Sequence, residues 1–208
     1  MARDGGKTRI AAGFWTTLRS MFVFLALGGT GFAGQYEDGQ AALSRHDYAA
    51  AFQHFRTPAE QGDARAQHWL GFFYYYGGGV PQNYALAAKW YLKAAEQGYD
   101  FAQADLALMY SAGKGVTQSY ADALKWFRLA ADHGNAVAQY NLGIAYANGF
   151  GVPQNYILAH MWFNLAVANT TEKVTRDEAA RNRDILAAKM NPEQLAEAQR
   201  LATEWKPK

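Results

Sequence analysis

Three features of the 208-residue sequence could carry chemistry: a glycine-rich stretch, a set of histidines and neighbouring carboxylates. The stretch GGGVPQNY at residues 77–84 has the look of a phosphate cradle. Phosphate loops, however, place a Lys-Ser or Lys-Thr pair after the glycines and a strand before them, and neither is found here. The five histidines, at 46, 54, 68, 133 and 160, have no paired spacing with carboxylates on one helical face, and His-Glu-x-x-His is absent. A nucleophile elbow, Gly-x-Ser-x-Gly, is absent as well. The adjacent acids Asp177 and Glu178 fall in a solvated helical turn. Cysteine is lacking, which excludes disulfides, thiolate catalysis and cysteine-held metal. The expectation is therefore no catalytic residue, no cofactor and no metal site.

The glycine stretch is better explained by its recurrence. It returns as GKGVTQSY from Gly113 and as GFGVPQNY from Gly149, a constant step of 36 residues from Gly77. Superposed, the copies keep Ala66, Ala102 and Ala138 in register, then Leu70, Leu106 and Leu142, then Tyr74, Tyr110 and Tyr146. Steps of four residues put these on one stripe of a first helix. A second helix carries Ala87, Ala123 and Ala159, Trp90, Trp126 and Trp162, and Ala94, Ala130 and Ala166. A tryptophan that recurs in register reads as packing between units rather than as a ligand cage. The first glycine of each copy ends the first helix, and Asn83, Ser119 and Asn155 cap the start of the second. The loop is a corner between antiparallel helices.

Two helices per unit at a constant period describe a solenoid whose units touch mainly their neighbours. The pattern Ala-x-x-x-Leu-Gly-x-x-Tyr, then Gly-x-Gly-Val, a Tyr opening the second helix, and Ala-x-x-Trp running to Ala-Ala-x-x-Gly resembles the Sel-1-like repeats, relatives of the tetratricopeptide repeats. Ala107, Thr117 and Thr170 depart from it. The resemblance implies an all-α, right-handed α-solenoid of antiparallel helix pairs, with repeats at 64–99, 100–135 and 136–169. Upstream, residues 37–62 match a shorter, tetratricopeptide-like capping unit, with His54 at the tryptophan position. Downstream, residues 171–208 read as a helical cap. Two capping boxes, TRDE from Thr175 and NPEQ from Asn191, are expected to start its helices.

Residues 1–33 read as a signal peptide: Arg3, Lys7, Arg9 and Arg19 precede the apolar MFVFLALGG, and small residues offer cleavage after about Ala33. The apolar run is too short to span a bilayer comfortably. The expected location is the bacterial periplasm or the medium, with an uncleaved leader anchored in the inner membrane as the alternative. Losing the leader removes four basic residues and one acid, Asp4, taking the formal charge from +2 to about −1. A nearly neutral chain is not expected to bind nucleic acid.

A solenoid of this kind offers its first helices as a concave surface for an extended peptide or a protein. By analogy with tetratricopeptide geometry, that surface comprises Arg65, His68, Trp69, Phe72, Tyr75 and Tyr76 in the first full repeat. It continues through Phe101, Asp105, Leu108 and Ser111, then Tyr140, Asn141, Ile144 and Asn148. Tryptophan, tyrosine and arginine are the residues that most often anchor interfaces. The alternative for the first set is packing against the shorter N-terminal unit. Asn141 lacks the matching lysine and arginine of a carboxylate clamp, which disfavours a peptide C-terminus as ligand. The expected function is a non-enzymatic adaptor or scaffold in the bacterial cell envelope. Self-association through the terminal helices is a third reading. A hydrolase is the alternative, since β-lactamase activity is attributed to cysteine-rich members of the family, whose cysteines this chain lacks.

Overall fold

The computed structural model describes residues 33–208. The expected leader thus lies, except for Ala33, outside the described residues. Every element within them is helical: α1 (Ala33–Ser44), α2 (Tyr48–Glu60), α3 (Ala64–Tyr76), α4 (Tyr84–Glu96), α5 (Asp100–Ala112), α6 (Tyr120–Asp132), α7 (Ala136–Asn148), α8 (Tyr156–Asn169), α9 (Lys173–Ala187) and α10 (Pro192–Glu204). Consecutive helices pack on one another from α1 through to α9, and α10 packs back on α8. This is an all-α solenoid.

The corners form as capping chemistry dictates. Gly77, Gly113 and Gly149 take left-handed conformations (φ 78°, 65° and 75°), and their amides donate to Phe73, Met109 and Ala145. Asn83, Ser119 and Asn155 accept at the second helix from the amides of Leu86, Asp122 and Leu158, at 3.0, 3.2 and 3.0 Å. Between them, the Gln82, Gln118 and Gln154 amides donate to the carbonyls of Tyr75, Ser111 and Ala147 at 2.7, 2.8 and 2.7 Å, occupying acceptors left open at the helix end.

The second glycine of a corner has a different task. A Cβ on Gly115 would lie 2.3 Å from the Tyr84 carbonyl carbon and oxygen, so this corner rests directly on the backbone that opens the previous repeat's second helix. Gly79 stands in the same way against Ala49.

Inside the stack, a buried glutamine joins each repeat to the one before. Gln67, Gln103 and Gln139 donate to the last-turn carbonyls of Ala59, Ala95 and Ala131 at 3.1, 3.1 and 3.3 Å. Gln97 donates to Gln67 Oε1 at 2.7 Å and Asn169 to Gln139 Oε1 at 3.0 Å. The residue equivalent to Gln97 and Asn169 is His133, whose Nδ1 lies 2.9 Å from the Leu129 carbonyl instead, leaving buried Gln103 Oε1 without a partner.

The ends depart from the repeat. In the N-terminal pair a tight turn replaces the glycine corner: His46 takes a positive φ of 62°, and Asp47 caps the Ala50 amide at 3.0 Å. At the other end, the capping box expected at Thr175 does not form. The chain is extended at Thr170, and α9 has already begun at Lys173 with Glu172 as its N-cap. Thr175 therefore sits inside the helix, its hydroxyl donating to Glu172 Oε2 at 2.9 Å. The box at Asn191 forms in full, with both side chain to backbone bonds and Pro192 in the first turn. Past α10, Trp205 meets Trp162 edge-on at 6.4 Å, and Lys208 bonds Asp132 through both its amide (2.8 Å) and its ammonium (2.6 Å).

Two measurements test this account. Gly98 has φ +85° but open space around it, so Gly98→Ala carries only the left-handed penalty of about 1–2 kcal/mol. Gly115→Ala adds a backbone collision, and its urea midpoint should fall further than that of Gly98→Ala; equal midpoints would refute the corner contact. The second concerns His160, buried on α8. Burial, with Arg183 adding to it, holds its imidazole below the ordinary 6.5. The unfolded chain takes up a proton there that the native chain resists, so stability present above about pH 6.5 is lost as pH falls toward the lowered native value. His160→Gln should show a shallower loss over that window in denaturation curves measured at stepped pH.

Candidate partner-binding face

The expected binding positions lie on α3, α5 and α7, and the structure divides them. Arg65, Phe101 and Val137, at equivalent places in three repeats, are all exposed, as is Leu108. Asp105, Ser111, Asn141 and Ile144 are half-buried. The first repeat is different. His68, Trp69 and Phe72, expected on the face, are core residues at 2%, 1% and 4% exposure. Trp69 lies flat on Phe55 of α2 (5.5 Å, 13°) and meets Phe72 edge-on (5.4 Å, 76°). The rings on α3 fill the junction with the N-terminal helix pair, the second of the two readings open to the sequence.

His68 is buried on the other side, between the rings of Tyr91 and Tyr99, each 5.3 Å away. Its Nε2 lies 2.7 Å from Asp105 Oδ2, joining α3 to α5, and its Nδ1 is buried without a partner. A histidine and a carboxylate at that distance could in principle move a proton. Here the imidazole is sealed by aromatic rings, with no nucleophile among its partners. Burial first, and then Asp105, push the Tyr91 phenol well above its ordinary value, so it stays protonated. Among the described residues no group of three histidines or acids is placed to hold a metal.

The remaining residues form two separate sets. Arg65 bonds Asp63 at 3.1 Å with its guanidinium 4.4 Å over Tyr36, and Phe101 packs 5.6 Å from Tyr99. Tyr75 and Tyr76 are half-buried, 4.8 Å apart. The Lys114 ammonium donates to the Tyr75 hydroxyl at 2.8 Å and lies over both Tyr75 and Tyr84, at 5.0 and 5.4 Å. Tyr140 turns toward the C-terminal cap instead: its hydroxyl accepts from Asn182 at 3.1 Å, and its ring lies 5.7 Å from Phe163. Asn141 donates to the Val137 carbonyl at 2.8 Å.

Sequence reasoning passes over one position that the structure makes prominent, the residue between the two corner glycines. Lys114 lies over Tyr84, and Phe150 stacks on Tyr120 at 5.2 Å and 14°. At the last repeat Lys189 supplies the cation, 5.9 Å over Tyr156. A signal exists: each of the first two sits thirty residues after its tyrosine, 84 to 114 and 120 to 150. The corner glycines draw attention away from the variable residue between them.

The geometry of paired helices, glycine corners and a glutamine link agrees with what known proteins show. The Sel1 repeat matches four successive segments, residues 27–63, 64–99, 100–135 and 136–170. The chain belongs to the Sel1 repeat family. Its N-terminal helix pair is thereby counted as a repeat, alongside the three with glycine corners. Among solved structures, a protective antigen present in uropathogenic Escherichia coli strains and displaying an SLR fold is similar at TM-score 0.74 and 33% identity, over 84% of this chain and 37% of that one. A Sel1 repeat protein from Oxalobacter formigenes is similar at TM-score 0.70 and 30% identity, over 83% of this chain and 68% of that one. This Sel1 chain therefore spans little more than a third of the antigen's length. No curated protein matches it. Sel1 repeats are generally protein-interaction modules without catalysis of their own.

The placement of Trp69 in the core has a measurable result. Trp69→Ala should lower unfolding free energy by about 3–5 kcal/mol, read from chemical denaturation, whereas a residue of an exposed binding face would change it little.

Proposed function

We propose that the protein is a non-enzymatic adaptor of the bacterial cell envelope that binds a protein or extended peptide along the first helices of its repeats. One observation carries this reading. Phe101, Leu108 and Val137 leave apolar surface open on α5 and α7, with the polar side chains of Asp105 and Asn141 between them. Apolar anchors among hydrogen-bonding groups are the makings of an interface. Of the fourteen positions read as the face, His68, Trp69 and Phe72 belong to the core and Tyr140 to the contact with the C-terminal cap; Arg65, Tyr75, Tyr76, Phe101, Asp105, Leu108, Ser111, Asn141, Ile144 and Asn148 remain part of the proposal, and Val137 joins them.

The envelope location is supported by the basic leader and its short apolar core. No helix among the described residues is long and apolar enough to cross a membrane. A periplasmic or secreted protein fits both facts. The near-neutral charge without the leader favours a protein partner over nucleic acid.

The test is site-specific photocrosslinking in intact cells, with a photoreactive phenylalanine at Leu108 and, for comparison, at Lys89 on the opposite helix layer. A defined adduct from Leu108 and none from Lys89 is expected. Identical adducts from both positions, or none from Leu108, would remove the first-helix face as the binding surface.

A further inference from the structure

Between α5, α6 and α7 lies a pocket of about 220 Å³, below the roughly 300 Å³ at which sites for whole small molecules begin. It is of the size to take one side chain. Phe127 and Ala145 are buried in its lining, Leu124 and Ile144 half-buried, and the stacked rings of Tyr120 and Phe150 stand 40% and 43% exposed beside it. No charged side chain lines it.

The same place one repeat earlier shows what fits there. Where the pocket has Ser111, the first junction has Tyr75, whose ring packs on the cluster holding Tyr91 and Met109, the equivalents of Phe127 and Ala145. Tyr75 meets Tyr84 edge-on at 5.1 Å and 63°, and Tyr84 is the equivalent of Tyr120. Two charged residues of the first junction are replaced too: Lys114, which lies over that ring, by Phe150, and Asp105, which pairs with His68, by Asn141. The second junction thus lacks the internal ring of the first while keeping the apolar surfaces that hold it.

We infer that this pocket binds an uncharged aromatic side chain, of the phenylalanine or tyrosine type, presented by a partner peptide. The ring seats against Tyr120 as Tyr75 seats against Tyr84. A lysine or glutamate side chain would lose its hydration against a lining that offers no counter-charge. Asn141 already donates to Val137, which leaves its amide carbonyl to accept from a phenol hydroxyl or a peptide N–H. The inference rests on the adaptor reading and names the chemistry its partner must present.

The probes are N-acetyl-tyrosinamide and N-acetyl-phenylalaninamide, with N-acetyl-lysinamide as the charged comparison, titrated into the full chain and followed through backbone amide NMR shifts. The aromatic probes should shift Ser111, Asn141, Ile144 and Phe150, and the lysine probe should not. Ser111→Tyr restores the ring of the first junction and should weaken probe binding by about tenfold or more, while Ser111→Ala keeps it. Phe150→Ala, on an exposed corner, should also weaken it and is independent of any disturbance that a tyrosine brings to α5. No aromatic shifts in the wild type, equal shifts from the lysine probe, or wild-type affinity in Ser111→Tyr and Phe150→Ala would overturn the inference. Crosslinking from Leu108 that persists while the aromatic probes fail would leave the adaptor standing and the pocket refuted; loss of both would refute the two together.

Discussion

The contact on which the solenoid depends is the seating of each glycine corner on the backbone of the preceding repeat. At Gly115 a single methyl group would stand 2.3 Å from Tyr84, so the distance between repeats is set by two backbones with no side chain between them. Such a contact cannot be adjusted by a flexible side chain, which is why both its spacing and its residue type recur. The residue between the two glycines is under no such constraint. It is Gly78, Lys114 or Phe150, and in the latter two its side chain projects over the tyrosine that opens the neighbouring helix. The fixed glycines thus position a variable side chain at the second and third corners.

Buried polar bonds secure what the corners position. A glutamine inside an apolar stack is costly unless its amide finds partners. Gln67 and Gln139 each gain a carbonyl to donate to and a neighbouring amide to accept from. Gln103 has only the first, because the His133 ring turns to Leu129. The second repeat is therefore the least tightly satisfied of the three, at the unit whose junction with the third also holds the open pocket.

How far the sequence discloses this structure follows from the range of the forces involved. Corners and caps are local, so Gly77, Gly113, Gly149, Asn83, Ser119, Asn155 and Asn191 can be read directly, and their recurrence implies the solenoid. Burial on the first helices depends on the neighbour across the junction. Trp69 occupies the same register position as Asp105 and Asn141, yet Phe55 on α2 draws it into the core. Tyr140 is likewise diverted by Asn182, forty-two residues ahead. Thr175 misleads for another reason: a capping box names a possible helix start, and α9 had already begun at Lys173. The candidate face was legible as a set of positions, but which of them face outward was not.

Because helices pack mainly on their neighbours in the chain, the stability of such an array is nearly a sum over junctions, and a weak junction stays local. The first junction is closed by Tyr75 under Lys114 and by His68 against Asp105. The third repeat is held from beyond, since α9 and α10 both pack on α8 and Lys208 reaches back to Asp132 at the end of α6. The open pocket thus lies between two closed regions. A ligand ring entering it would meet walls already positioned on both sides and would order few further side chains. That lowers the entropic cost of binding at this junction.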